Sequence, residues 1–149
     1  MEKKIPRGLR NHNPLNIINT TTPWVGQIGT DGRFCVFVRD EFGYRAAFKL
    51  LRTYNIKHKL YTVRQIIARW APPVENNTEG YIRRVCKYGG LEADNKIFFG
   101  DDLYQLRACQ MVASMAYVEN GVDIDVIQRE KIQKGYALAF PWYKPNYEL

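Results

Sequence analysis

Near residue 40 the spacing of apolar residues changes, and this change limits the chain to few folds. Upstream, Asn11-His12-Asn13-Pro14 and Thr20-Thr21-Thr22-Pro23 are Asx and X-Pro steps that disfavour helix. Trp24-Val25-Gly26-Gln27-Ile28-Gly29 then runs through Asp31-Gly32 into Arg33-Phe34-Cys35-Val36-Phe37-Val38. Asp-Gly between β-formers predicts an antiparallel hairpin over about 24–38. Downstream the period is helical: Phe42, Ala46, Ala47, Leu50, Leu51 and Tyr54 form one stripe of a helix over about 41–55. Thr62 and Gln65 make a capping box for a short helix with Val63, Ile66, Ile67 and Trp70 inward, stopped by Pro72-Pro73. Thr78 caps a third helix, with Ile82 and Val85 inward, that ends near Gly89-Gly90. Asp101 or Asp102 caps a longer one carrying Leu103, Leu106, Met111, Val112 and Met115, closed by Gly121. Asp123 or Asp125 opens a last helix expected to stop at Gly135, and the aromatic tail from Phe140 to Pro145 is expected to dock in extended form. The expected class is α+β, mostly α, with one small antiparallel hairpin.

A chain of 149 residues suits a single domain over 1–149, and it buries enough surface to hold a core without disulfides or metal. Cys35, Cys86 and Cys109 lie far apart with no Cys-x-x-Cys, as expected of small apolar side chains in a reducing compartment. No apolar run reaches the ~20 residues of a membrane helix. The first residues lack the apolar stretch of a signal peptide, so synthesis in the cytoplasm without export is expected. Charge is uneven: residues 1–70 carry 13 Lys/Arg against 4 Asp/Glu, residues 71–149 carry 9 against 11. A basic half facing an acidic one suggests a polyanionic partner. Nucleic acid, anionic lipid and bacterial cell wall all qualify. Nucleic acid is disfavoured, because no helix-turn-helix, zinc finger or aromatic-on-sheet signature is present.

Elimination narrows the chemistry. His12 and His58 are 46 residues apart and neither has the i,i+4 partner of a helical zinc site, so no metal is expected. There is no phosphate-binding glycine loop, no Gly-x-Ser-x-Gly elbow, and no cofactor is implied. Carboxylates remain. Glu119 ends the long helix on the face of Val112 and Met115, in a last turn where the backbone dipole is negative. Desolvation and that dipole both raise a carboxyl pKa, as a general acid requires. The alternative is a solvated Glu at a frayed helix end. Glu75 lies in Trp70-Ala71-Pro72-Pro73-Val74-Glu75-Asn76-Asn77-Thr78, a proline-pinned loop ahead of a helix, where an acid also serves as plain capping electrostatics. Trp24, Tyr54, Trp70, Tyr81 and Trp142 are either groove-lining rings for stacking on sugars or core.

Several ordered motifs carry a resemblance. They are Arg7-Gly8-Leu9-Arg10-Asn11-His12-Asn13-Pro14-Leu15-Asn16-Ile17, Trp24-x-Gly26-Gln27, Phe34-x-x-Phe37, Gly43-x-Arg45-Ala46, Trp70-Ala71-Pro72-x-x-Glu75-Asn76-x-Thr78-x-x-Tyr81 and Glu119-Asn120-Gly121. Over about residues 7–121 the chain resembles the bacteriophage virion family labelled structural protein P5, regarded as lysozyme-like peptidoglycan-degrading enzymes. That resemblance implies a lysozyme-like domain that cleaves the β-1,4 glycan backbone as a muramidase or lytic transglycosylase, carried in the virion or released to the wall. In the wider lysozyme superfamily the helix ending in the acid comes first and the Asn-rich turn follows. Here the order is reversed, as a circular permutation would produce, and Glu119 should then share a cleft with Tyr81 near the Asn11–Ile17 turn. Glu119 is implied as proton donor, Glu75 as second carboxylate or sugar-orienting group. Tyr81, Asn13, Trp70 and Asn76 are implied as substrate-binding groups. Without a permutation, Glu75 becomes the candidate acid. A non-catalytic virion protein of the same fold, binding wall or virion partners, is the competing expectation.

Overall fold

In a computed structural model the described residues are 4–142, and they form six helices and one two-stranded sheet. The order is α1 (Arg7–Arg10), β1 (Gln27–Thr30), β2 (Cys35–Phe37), α2 (Asp40–His58), α3 (Val63–Trp70) and α4 (Thr78–Gly89). A 3₁₀ turn (Asp102–Tyr104) leads into α5 (Gln105–Asn120), and α6 (Val126–Ala139) follows. Most of the expected tail, from residue 143 on, lies outside the described residues.

The hairpin forms where expected, antiparallel, with a bulge between Gln27 and Gly29. Its turn is four residues wide, because the Asp31 carboxylate accepts from the Arg33 and Phe34 amides at 3.1 and 2.8 Å and so folds an Asx turn. Cys35 and Phe37 of β2 point into the core while β1 is largely exposed. The ladder therefore covers α2 on one face only.

Helix α2 is longer than expected and buried on more than one stripe. Its core includes Tyr44 and Phe48 beside Ala46, Ala47 and Leu51. The cause is α6, which lies along its far side: Gly135 sits against Tyr44, and Phe48 stacks edge-on with Tyr136 at 5.0 Å. Gly135 is thus no helix stop. A Cβ there would meet Tyr44 Cβ at 2.6 Å, so glycine serves a close helix crossing and α6 continues to Ala139.

The capping box of α3 forms with both reciprocal bonds. At α4 the cap shifts by one residue: Asn77 accepts from the Gly80 amide, while the Thr78 hydroxyl donates to the Ala71 carbonyl and ties the proline loop down. Asp101 caps the 3₁₀ turn instead of α5 itself, which swings Leu103 and Leu106 out to solvent, against expectation. Further along α5, Met111, Val112 and Met115 are fully buried against α4 and α6. Cys35 is buried, Cys86 and Cys109 are half-buried, and all three are free thiols. No helix among the described residues is long and apolar enough to cross a membrane.

Candidate active site

Two distant segments build the site. The first is the turn after α1, where His12 and Asn16 adopt left-handed backbone (φ 53° and 55°), a conformation asparagine tolerates better than most side chains. Asn13 holds the turn together. It is fully buried; its amide donates to the carbonyls of Ile17 and Cys35, each at 3.0 Å, and its oxygen accepts from the Ile17 amide at 2.9 Å. The second segment is the end of α5, where Gly121 (φ 68°) terminates the helix. Asn120 stitches the two together. Its Oδ1 accepts from the Leu9 amide at 3.2 Å and its Nδ2 donates to the Pro14 carbonyl at 2.7 Å.

This stitching sets Glu119 against the turn. Asn16 Nδ2 donates to Oε1 at 3.0 Å, and the Tyr81 hydroxyl donates to Oε2 at 2.9 Å. Burial pushes the Glu119 carboxyl above the ordinary glutamate range; the Asn16, Tyr81 and Trp70 donors and the Arg84 charge pull the other way without reversing it. The Tyr81 phenol, itself buried and beside this carboxylate, is held well above its usual range and stays a donor.

Glu119 opens onto a cleft of about 420 Å³. Asn16 and Ile17 from the turn, Trp24 and Phe34 from the hairpin region, Tyr54 from α2 and Trp70 from α3 all line it. Glu75 and Asn76, both exposed, lie on the rim, with the Asn76 amide donating to the Pro72 carbonyl at 3.3 Å. Both expected acids therefore border one cavity, together with Trp70 and Asn76, and Tyr81 reaches it through its bond to Glu119. Asn13 is placed in the frame beneath, its polar atoms engaged; the asparagine that meets Glu119 is Asn16, three residues on. That amide meets Glu119 from a left-handed backbone at residue 16, and the spacing of Asn13 and Asn16 carries no sign of which faces in.

Trp142 lies elsewhere. With Arg52, Tyr61 and Phe98 it borders a larger cavity of about 880 Å³ in which neither Glu119 nor Glu75 takes part. Arg33, absent from the sequence-based candidates, lines the acidic cleft with its guanidinium 5.1 Å above the Phe34 ring. No group of three or more His, Cys, Asp or Glu among the described residues is arranged to hold a metal ion.

Fold and site together define a class: a mostly helical protein with a small two-stranded sheet, in which a helix-terminal carboxyl faces an aromatic cleft. No family model matches the chain. It is 36% identical over 139 residues to Protein P5 of Pseudoalteromonas phage PM2, covering 90% of this chain and 82% of that protein. The chain belongs to the phage Protein P5 family.

Proposed function

We propose that this protein is a peptidoglycan-cleaving glycosidase with Glu119 as its general acid, on a circularly permuted lysozyme-like domain. The observation that carries the reading is a carboxyl desolvated at the end of a core helix, open to a cleft, with both oxygens held by neutral donors. Burial shifts such a carboxyl toward its protonated form, the direction a general acid requires if it is to give a proton to a bridging oxygen. As the proton moves to the glycosidic oxygen and the C–O bond breaks, Asn16 and Tyr81 stabilise the carboxylate left behind. The flat faces of Trp24, Tyr54 and Trp70 suit pyranose rings, and Glu75 is available to activate water for a hydrolase. A lytic transglycosylase would need only the one acid, the sugar's own hydroxyl closing onto the anomeric carbon.

Substitution Glu119→Gln should abolish clearing of cell-wall suspensions, a loss of at least ~100-fold. Glu75→Gln should leave bond cleavage intact in a transglycosylase and abolish it in a hydrolase. Mass analysis of the released fragments identifies the chemistry: anhydro ends mark transglycosylation, reducing ends hydrolysis.

One observation favours a second reading. Both oxygens of Glu119 are engaged by protein donors from the N-terminal turn and from α4, so the carboxylate is also a strut between three segments. A non-catalytic virion protein would keep that strut for stability alone. Wild-type protein inert on several wall types, with Glu119→Gln merely less stable, would select this reading.

A further inference from the structure

Asn16 holds an arrangement that folding alone does not favour. Its backbone is left-handed, its Nδ2 faces Glu119 Oε1, and its Oδ1 is buried with no hydrogen-bond partner. That Oδ1 points toward Gly8, where a Cβ would approach it to 3.0 Å, so no side chain there could reach in to satisfy it. A buried acceptor left unpaired is a cost that a purely structural side chain avoids.

We infer that Asn16 is a positioning residue whose amide turns over with the protonation state of Glu119. The inference rests on Glu119 being the acid of the proposed reaction. The amide has two settings half a turn apart. In the observed one an N–H faces Oε1 and stabilises the carboxylate. In the other, Oδ1 faces Oε1 and accepts a hydrogen bond from the O–H of the neutral acid. The far end of the amide meets no partner in the observed setting, so the near end, and hence the Glu119 proton, decides between the two. Of the other groups facing Glu119, Arg84 on α4 is a positive charge and Trp70 on α3 a donor, and neither can accept, while Glu75 lines the same cleft. The Tyr81 hydroxyl, also on α4, can rotate to accept but meets Oε2, so Asn16 is the group at Oε1 able both to donate and to accept. Asn16 thereby accommodates the acid before proton transfer and its conjugate base afterwards.

The test uses Asn16→Gly, which keeps a left-handed backbone without strain while deleting the amide, and Asn16→Asp as a shape-matched control. In wild type the side-chain amide signals of Asn16 should shift with pH along the titration of the Glu119 carboxyl, and this dependence should vanish in Glu119→Gln. In Asn16→Gly the Glu119 midpoint should move up. Wall clearing should fall on the order of tenfold, the weight of one charge-assisted hydrogen bond. Asn16→Asp, which puts a like charge beside Glu119, should move the midpoint higher still. Amide signals that stay flat through the Glu119 titration, or a midpoint unmoved in Asn16→Gly, would overturn the inference. A moved midpoint in a protein without lytic activity would uphold the coupling and reject the glycosidase.

Discussion

At the scale of single residues, Glu119 makes the stability of the fold depend on pH. Its folded pKa lies above that of the unfolded chain, because burial penalises the charge. A group shifted in this direction favours the fold while protonated, and that contribution is lost as pH rises through the folded value. The stability of wild type relative to Glu119→Gln should therefore decline as pH rises from the unfolded glutamate value through the higher folded one, measured by denaturant midpoints at each pH. A constant difference would mean that the carboxyl is not perturbed. Gly8 is the silent member of the site. A Cβ at this position would come within 2.7 Å of Asn120 Oδ1 and 2.9 Å of the Asn13 carbonyl. Gly8→Ala should cost about 1–3 kcal/mol and displace Asn16 from Glu119. Wall clearing would then fall by more than the loss of stability explains.

At the scale of elements, the α2–α6 crossing decides the packing. Gly135→Ala would force Cβ contacts of 2.6 Å to Tyr44 and 3.1 Å to the Glu41 carbonyl, parts of the chain that cannot swing aside. It should cost about 1–3 kcal/mol, read as a lowered thermal midpoint, with fragment chemistry unchanged. The same crossing explains where sequence reasoning succeeded and where it failed. Capping boxes and glycine stops are local, so α3, the end of α4 and the end of α5 were legible from Thr62, Gly90 and Gly121. Tyr44 and Phe48 fall off the single apolar stripe of α2, and only the arrival of α6 about ninety residues later buries them. Gly135 looked like a stop for the same reason, since close approach of another helix leaves no local mark. Glu119 was legible because a carboxylate on an apolar face breaks a local rule; its partner Asn16 was not, because left-handed backbone at an asparagine is a tertiary outcome.

At the scale of the whole molecule, Asp40 fastens the start of α2 to both ends of the described chain. Burial pushes its carboxyl up, but hydrogen bonds from Gln128 and His12 and the charge and hydrogen bond of Lys131 outweigh this and hold it below the usual range. Its oxygens lie 2.9 Å from His12 Nδ1, 3.0 Å from Gln128 Nε2 and 3.1 Å from Lys131 Nζ. With a folded pKa below the unfolded one, its contribution is present at neutral pH and lost as pH falls through the folded value. Asp40→Asn should cost roughly 1–3 kcal/mol at neutral pH, since Lys131 and His12 remain in reach of solvent, and flatten the acid limb of the stability profile. The bond between Asn16 and Glu119 spans 103 positions of the chain. On a ribosome, which releases the amino end first, the turn therefore emerges long before the carboxylate that completes it. A nascent chain carries no complete cleft until α5 has been made, and a product truncated before α5 lacks the carboxyl that closes the Asn16 turn onto the rest of the fold.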